Sequence, residues 1–383
     1  MSGVVEISWD GVCRRRLVRH GLVGVGKAGV GEVASAVAGV HGQVMSAAEV
    51  GIAMRTPGGT RGDVREGLWG ERSLVKTYGV RGTVHVVAAE ELGLWVGALS
   101  ALPFTGLGGL PPEVLMSEGQ IGDVLGAVGE ALSEAELTVD ELTEEVVRRT
   151  GAWAGDPVME AFQGKWPRWR QVMHLAGMRG ALCFAPNKGR KVAFTHPERW
   201  VEGFVPVAAD EALPWLVRSY LHAYGPSTPQ RFAHWTGVGV TWAKELFASL
   251  GDGLEKVLVE GEAAWVVAGD VDVPEAEPTG VRLLPYFDGY AYRVGNQPLS
   301  LLYPGVAGRA ARGNFQVLLV DGVAAGLWHQ RRSGRRIAVT VEPFTPLTPA
   351  RHDELVAQTE RLGEILEGVP TLTLGPVTVG SHA

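Results

Sequence analysis

Three consecutive stretches decide the fold: TVDELTEEVVRRTGAW (residues 138–153), PRWRQVMHLAGMRG (167–180) and ALCFAPNKGRKVAFTH (181–196). In the first, Thr138 with Glu141 three residues later forms a capping box that opens an amphipathic helix. The second has apolar residues at helical spacing, and the third reads as two short strands around Asn187-Lys188-Gly189. A helix, a second helix and a hairpin in this order predict a winged helix.

The same order can be traced twice more. One copy follows a helix at 220–225 and consists of STPQRFAHWTG (227–237), VTWAKELFASLG (240–251) and EKVLVEGEAAWVVAGD (255–270). A fainter copy pairs the helix TRGDVREGLWGERS (60–73) with the hairpin LVKTYGVRGTVHVV (74–87). Because the spacing is irregular, the copies indicate a tandem array and not a solenoid.

We therefore predict an α+β protein of three tandem winged helix-turn-helix units with a β-rich C-terminal part. The boundaries are set at the Gly-Pro-rich LGGLPP and after the second hairpin, where Phe204-Val-Pro206 begins an apolar linker. The predicted domains are 1–110, 111–205 and 206–383.

The composition limits the class of protein. With 383 residues and 46% hydrophobic content, the chain is long enough for two or three folded domains. The two cysteines are far apart, so neither a disulfide framework nor a structural zinc site is supported, and we predict no metal and no cofactor. No signal peptide and no run of about 18 apolar residues is present, which predicts a cytoplasmic protein without membrane contact.

A second hairpin, LWHQRRSGRRIAVTV (327–341), carries two arginines on each side of Ser333-Gly334. On a chain of formal net charge -7, so local a cationic cluster favours a polyanionic partner, and we interpret it as a nucleic-acid contact. The alternative is a solvated hairpin end that keeps an edge strand soluble. Trp328, beside the arginines, is a candidate for base stacking, whereas the tryptophans at helical spacing are assigned to the core.

The winged helices alone leave the function open, because such units bind DNA or other proteins. The predicted recognition helices hold few base-reading side chains: Arg168, Arg170, Gln171 and His174 in one and Lys244 in another. Sequence-specific regulation is therefore poorly supported.

Four segments together resemble the winged-helix DNA glycosylases of the AlkZ and YcaQ type: VASAVAGVHGQVMSAAEVGIAM (33–54), RGTVH (81–85), LLPYFDGY (283–290) and VLLVDGVAAGLWHQRRSGRR with VTVEPF (317–344). The resemblance spans nearly the whole chain. It implies three winged-helix units in a C-shape around duplex DNA, a hairpin inserted into the minor groove, and removal of alkylated purines, chiefly N7-alkylguanines. Some family members unhook interstrand crosslinks, and members act as monomers.

The family's catalytic triplet, Gln-aliphatic-Gln or Gln-aliphatic-Asp, aligns with His41-Gly42-Gln43 and differs at its first and middle positions. An N7-alkylated guanine is cationic and leaves readily, so hydrolysis needs a positioned water more than a strong acid. Gln43 would orient this water, and a neutral His41, with the ordinary histidine pKa of about 6.5, would accept its proton. A hydrogen-bonded structural histidine is the alternative reading of His41.

The sequence thus predicts a monofunctional DNA glycosylase that hydrolyses the N-glycosidic bond of N7-alkylguanine or bulky and crosslinked purine adducts in duplex DNA and leaves an abasic site. None of the seven lysines lies in the His41 segment, which argues against a lyase step. The runner-up is a non-catalytic winged-helix DNA-binding protein, either a regulator or an architectural factor. We expect a monomer that associates with the nucleoid when bound to DNA. Its DNA-binding residues are predicted to be His329, Gln330, Arg331, Arg332, Arg335, Arg336, Lys188, Arg190 and Lys191.

Overall fold

The computed structural model describes residues 4–23, 28–103, 110–161, 164–275, 280–290 and 315–378. The chain forms two compact units. The first is discontinuous, since it combines residues 1–67 with residues 217–383, and the second comprises residues 68–216. Within the described ranges, no helix has both the length and the apolar composition to cross a membrane.

The chain starts in the first unit with two short strands and four helices: β1 (Glu6–Ile7), α1 (Trp9–Arg19), α2 (Val30–Ala36), β2 (Val40–His41), α3 (Met45–Ala53) and α4 (Arg61–Trp69). Ser8 begins α1 as an N-cap, and its hydroxyl accepts the Gly11 N–H at 3.1 Å. The last turn of α1 is tied to a distant part of the same unit, because Arg16 Nε donates to the Tyr224 carbonyl at 3.0 Å.

The second unit alternates helices with short hairpins: β3 (Leu74–Tyr78), β4 (Val84–Ala88), α5 (Leu92–Ala101), α6 (Glu118–Glu134), β5 (Leu137–Thr138), α7 (Val139–Thr150), β6 (Pro157–Glu160), β7 (Lys165–Pro167), α8 (Met173–Met178), β8 (Cys183–Lys188), β9 (Lys191–Thr195), α9 (Pro197–Trp200) and α10 (Ala209–Tyr224), which runs on into the first unit. The elements predicted for 138–196 are all present. Thr138 N–H donates to Glu141 Oε2 at 2.7 Å, so the capping box forms as predicted. The second predicted helix is shorter, because residues 168–172 form a 3-10 helix and α8 begins at Met173.

The core of this unit forms around Trp169, which is completely buried and donates its indole N–H to Thr143 Oγ1 at 3.0 Å. Strands β5, β9 and β8 form one sheet in that order, and Phe184 pairs with Phe194 across the antiparallel hairpin. One long helix, a short strand, two helices and a hairpin thus share a single hydrophobic core.

The chain returns to the first unit with further helices and two sheets: α11 (Pro229–Thr236), α12 (Val240–Ser249), β10 (Leu254–Val259), β11 (Glu262–Val267), β12 (Val281–Leu284), β13 (Gln316–Val320), β14 (Val323–Ser333), β15 (Arg336–Pro343), α13 (Pro349–Ile365) and β16 (Val369–Leu374). The two helices and the hairpin predicted between 227 and 270 are present. The last five strands lie in sequence order in one sheet. β15 and β16 are parallel, and α13 makes the crossover between them.

The compact units do not follow the predicted boundaries of 1–110, 111–205 and 206–383. Those boundaries rest on linker composition, which carries no information about long-range pairing. β1 pairs in parallel with β10, and Glu6 lies opposite Leu258, so the N-terminal segment belongs with the C-terminal half. Residues 107–109 of the LGGLPP boundary lie outside the described residues.

The arginine hairpin is present, but its loop is one residue later than predicted. Ser333 pairs with Arg336, which leaves Gly334 and Arg335 as the two-residue loop. Gly334 adopts a φ of 61°, the left-handed conformation that the first position of such a loop requires. Arg335 therefore occupies the tip itself.

Trp328 does not have the exposure that base stacking requires, and that prediction is wrong. Its side chain is 1% exposed, and its indole N–H donates to the Leu284 carbonyl on β12 at 2.7 Å. The indole lies on one face of the five-stranded sheet, and its hydrogen bond joins β14 to β12 across β13. Trp95 and Trp169 are buried, as their helical spacing predicts. Trp166 was assigned to the core on the same ground, but it lies on β7 and is 43% exposed, so that assignment is wrong.

Candidate functional site

The His41-Gly42-Gln43 segment joins the short strand β2 to α3 in the first unit. A left-handed turn precedes it, with φ values of 53° at Ala38 and 84° at Gly39. The buried Tyr224 hydroxyl donates to the Val37 carbonyl at 2.9 Å and fixes the start of this turn. His41 is half-buried and Gln43 is exposed, so the amide of Gln43 is open to a ligand from solvent.

The imidazole of His41 packs against an aromatic ring of the same unit. Its centroid lies 4.7 Å from that of Phe287, with the planes inclined by 41°. Phe287 has a φ of 60°, which a non-glycine side chain rarely adopts and which surrounding contacts must hold in place. The conformation at residue 287 thus sets the position of the ring against which His41 packs.

A buried ion pair supplies that restraint. Arg55 Nη1 and Nη2 donate to Asp288 Oδ2 and Oδ1, both at 2.8 Å, and each side chain is 4% exposed. Asp288 Oδ1 also accepts the Tyr290 N–H at 3.1 Å, and Arg55 Nε donates to the His20 carbonyl at 2.7 Å. Because both charges have several hydrogen bonds, the pair can be buried and locks residues 287–290 to α3.

A cleft of about 280 Å³ lies beside this segment. Its walls come from the start of α3, from the segment after β12 and from the base of the arginine hairpin: Val44, Ser46, Ala47, Val50, Tyr286, Gln316, His329 and Gln330. Val44 directly follows Gln43, and the Tyr286 ring lies 6.2 Å from that of Phe287. The fold therefore brings the predicted catalytic segment and two of the predicted DNA-binding residues to one place.

His329 and Gln330 enter the cleft with buried polar atoms. Neither His329 Nδ1 nor Gln330 Oε1 has a hydrogen-bond partner among the described residues. Burial lowers the pKa of His329 below the ordinary value of histidine, so its imidazole is neutral at neutral pH. His329 therefore adds no positive charge to the lining of the cleft.

The four arginines of the hairpin differ in their surroundings. Arg332 Nη1 donates to the Leu366 carbonyl at the end of α13 at 2.5 Å, and its Nε donates to the Gly334 carbonyl at 2.9 Å. Arg331, Arg335 and Arg336 are exposed, and none forms an ion pair within the described part of the chain. Three guanidinium groups are therefore available to an external anion, while the fourth stabilises a helix terminus.

The remaining predicted DNA contacts lie on the β8–β9 hairpin of the second unit. Lys191 pairs with Asp140 at 2.7 Å, and Lys188 Nζ donates to the Glu136 carbonyl at 2.6 Å. Both lysines are thus engaged by the protein itself. Arg190 is exposed and has no acidic partner in the described ranges, which makes it the strongest of the three candidates.

Sequence reasoning assigned no role to several residues of this site. Tyr286, Phe287 and Asp288 lie in LLPYFDGY, which contributed to the family resemblance only as a motif. The signal that could have identified them is that polar and aromatic residues directly follow a buried strand, a position that often carries functional side chains. For Arg55, 233 residues from its partner, no local pattern indicated the pairing.

The chain is similar to known proteins over most of its length. A family model described as "DNA glycosylase AlkZ-like" matches residues 34–365. The "Interstrand DNA cross-link repair glycosylase" of Streptomyces sahachiroi is 30% identical over 364 residues, which cover 91% of this chain and 94% of that protein. The solved structure of the Streptomyces sahachiroi DNA glycosylase AlkZ superposes with a TM-score of 0.79 at 25% identity, over 97% of this chain and 100% of the other.

Proposed function

The chain belongs to the AlkZ-like DNA glycosylase family, and on this premise we propose that it hydrolyses the N-glycosidic bond of N7-alkylguanine, including bulky and crosslinked adducts, in duplex DNA. The crosslink part of the proposal is supported by the relative from Streptomyces sahachiroi, which is named for interstrand crosslink repair. The single observation that carries the assignment is the position of His41 and Gln43 next to a cleft whose other wall is the base of a cationic hairpin.

The chemistry follows from the leaving group. Alkylation gives the guanine ring a positive charge, so when the C1′–N9 bond breaks, its electron pair neutralises the ring. The deoxyribose is left as an oxocarbenium-like cation that water must attack. Catalysis therefore consists mainly of placing a water molecule and stabilising positive charge on the sugar.

His41 and Gln43 can share this task. The exposed Gln43 amide accepts a hydrogen bond from the attacking water through Oε1 and orients it toward C1′. His41, restrained by Phe287, accepts the proton that the water loses when its oxygen bonds to carbon. The products are free 7-alkylguanine, an abasic site and a proton that returns to solvent. No lysine lines the cleft among the described residues, which supports hydrolysis without a Schiff base.

Groove and backbone contacts are proposed for Arg331, Arg335, Arg336 and Arg190. The three hairpin guanidinium groups extend beyond the cleft and would bind phosphates of the duplex on either side of the lesion. We also propose that the three helix–helix–hairpin segments are winged-helix units and that the protein acts as a monomer on chromosomal DNA in the cytoplasm.

The test uses duplexes that carry one N7-methylguanine or one nitrogen-mustard crosslink. Release of free base and formation of alkali-labile sites are measured under single-turnover conditions. We expect release by the wild-type protein and a loss of about 100-fold in rate for His41→Ala and for Gln43→Ala, with duplex affinity retained. Gln230→Ala, an exposed glutamine on α11, is the matched control and should match wild type.

Absence of free base and of alkali-labile sites from every duplex at enzyme excess would reject the proposal. If binding persisted in that case, the protein would be a non-catalytic DNA-binding member of its family.

A further inference from the structure

We propose that a second pocket of the first unit, of about 300 Å³, binds a small organic monocarboxylate whose apolar body fills the pocket and whose carboxylate pairs with Arg282. The walls of this pocket come from the turn after α1, from α3, from β12 and from α13. Such a site goes beyond the proposed function, because neither DNA nor the His41-Gly42-Gln43 segment takes part in it.

The pocket is separate from the cleft beside the His41 segment. Of the residues described as lining the two, Val50 alone belongs to both. Ser46 and Ala47, in the first turn of α3, line the cleft, whereas Met54, which directly follows α3, lines the pocket. The two cavities therefore lie against opposite ends of one helix, and a ligand of the pocket would leave the cleft open.

Most of the pocket lining is aliphatic: Leu22, Val50, Leu283, Leu362 and Ile365. All five side chains are buried, and contact with them removes the apolar part of a ligand from water. The half-buried thioether of Met54 is flexible and adapts to the shape of what it touches. Small-molecule sites measure about 300–1,000 Å³, so this pocket suits a ligand with a single ring or a short branched chain.

Arg282 gives the pocket a positive charge that the described residues do not pair. Its Nε donates to the Leu22 carbonyl and its Nη1 to the Val281 carbonyl, both at 2.8 Å, which fixes the guanidinium in the wall. Burial lowers the pKa of Arg282, and the charge of Glu354 offsets this only in part, since Glu354 is itself paired with Arg351 at 2.8 Å. The guanidinium stays charged at neutral pH, and its remaining N–H groups can pair with a carboxylate.

The second guanidinium of the pocket is already compensated. Arg361 Nη1 donates to Glu364 Oε2 at 3.0 Å, and its Nη2 donates to the Ala53 and Gly59 carbonyls at 3.2 and 2.7 Å. The half-buried Gln358 amide adds a neutral donor, and no acidic residue lines the pocket among those described. One uncompensated positive charge favours a ligand with one negative charge, and a planar carboxylate matches the guanidinium fork.

The test measures binding of phenylacetate to the full chain without DNA, so its outcome does not depend on the proposed reaction. Phenylacetamide has the same shape without the charge, and acetate has the charge without the ring. The methyl groups of the seven methionines are isotope-labelled for NMR, and Met54→Leu assigns the signal of Met54. A phenyl ring bound in the pocket would shift that signal, while Met116 in the second unit serves as the internal reference.

We expect phenylacetate to shift the Met54 signal with a Kd of about 1 mM, the affinity of a ligand of this size, and to leave the Met116 signal unchanged. Phenylacetamide should bind at least about tenfold more weakly, because it cannot form the charge-assisted pair. Acetate should cause no shift at Met54, because it has no apolar body to bury.

Three variants test the charge and the pocket separately. Arg282→Gln should weaken binding of phenylacetate at least about tenfold. Gln358→Trp, whose larger side chain would occupy the pocket from a half-buried position on α13, should abolish it. Arg335→Gln removes an exposed guanidinium elsewhere in the same sheet and should bind within about twofold of wild type. Thermal unfolding checks that each variant is folded, and the comparison of acid with amide in the wild type needs no variant.

The proposal is overturned if the wild type shows no shift at Met54, if phenylacetamide or the dianion phenyl phosphate binds as tightly as phenylacetate, or if acetate alone gives the shift. It is also overturned if Arg335→Gln loses as much affinity as Arg282→Gln, or if Gln358→Trp keeps the shift, since the acid would then bind elsewhere. None of these results bears on base release, which is decided by its own assay.

Discussion

Asp288→Asn should destabilise the protein far more than its small change in shape suggests. The carboxylate accepts two hydrogen bonds from Arg55, each at 2.8 Å, and a third from the Tyr290 N–H at 3.1 Å. Asparagine removes the charge and turns one acceptor into a donor that faces a guanidinium. Since both side chains are only 4% exposed, Arg55 remains as an uncompensated buried charge, and we expect a loss of about 3–5 kcal/mol in the free energy of unfolding.

Urea denaturation of a double-mutant cycle measures this effect. Arg55→Met alone should also destabilise, but Arg55→Met combined with Asp288→Asn should cost clearly less than the sum, because no isolated charge is left. The control is Glu367→Gln, which breaks the more exposed pair between Arg61 and Glu367 at 2.8 Å and should change stability by about 1 kcal/mol or less.

The same variant should impair base release. Asp288 holds the backbone that presents Phe287 to His41, and a displacement of about 1 Å in a catalytic group lowers rates by about 100-fold. The rate should stay low in the double variant, whose stability recovers but whose anchor is lost. A loss in Asp288→Asn no larger than that of Glu367→Gln, or additive effects in the cycle, would contradict the assignment of the pair as a buried anchor.

Three further outcomes are expected. Burial, and to a smaller extent the charge of Arg55, lowers the pKa of His20 to about 3. At pH values between about 3 and the ordinary histidine pKa of about 6.5, His20 is therefore protonated in the unfolded chain but not in the folded protein. Stability should therefore fall by about 2 kcal/mol between pH 7 and pH 5 through this group, and His20→Gln should remove that dependence in urea titrations. Arg332→Ala should lower the melting temperature because it removes the hydrogen bond to the Leu366 carbonyl at the end of α13, whereas Arg331→Ala should reduce duplex affinity and its salt dependence. Gly97→Ala should destabilise by more than about 1 kcal/mol in thermal unfolding, because its Cβ would overlap the Val207 carbonyl oxygen; a neutral result would show that this backbone can shift.

Sequence reasoning worked where the determinant is local. The capping box of Thr138 and Glu141 defines a helix start within a few residues, and it is present. The predicted loops of two hairpins lie too early in the chain: Asn187-Lys188-Gly189 was predicted where the loop is Gly189-Arg190, and Ser333-Gly334 where the loop is Gly334-Arg335. In both, the glycine is the first loop residue, with φ values of 65° at Gly189 and 61° at Gly334, so the strand continues up to it.

Long-range structure was not predictable from the residues alone. No sequence pattern near Arg55 indicates that it pairs with Asp288. Likewise, β1 has two residues and β10 has six, and the composition of neither strand indicates that the other is its partner. Trp328 was misjudged because a tryptophan beside exposed arginines reads as a surface residue. This part of β14 is covered on both faces, since Leu327 is 0% exposed and Trp328 is 1% exposed. His41 and Gln43 were identified by resemblance to the family. The cleft beside them could not be predicted, because its lining residues come from distant parts of the sequence and meet only in the folded structure.

The discontinuous first unit has a consequence for synthesis on the ribosome. Residue 287 is made 246 residues after residue 41 (287 minus 41), which takes about 10–50 s at elongation rates of about 5–20 residues per second. The second unit is continuous from 68 to 216 and can fold during this interval. The N-terminal 67 residues must wait until the distal half emerges. A chain whose synthesis stops before residue 288 therefore has all residues of the second unit but lacks Asp288, the partner of Arg55.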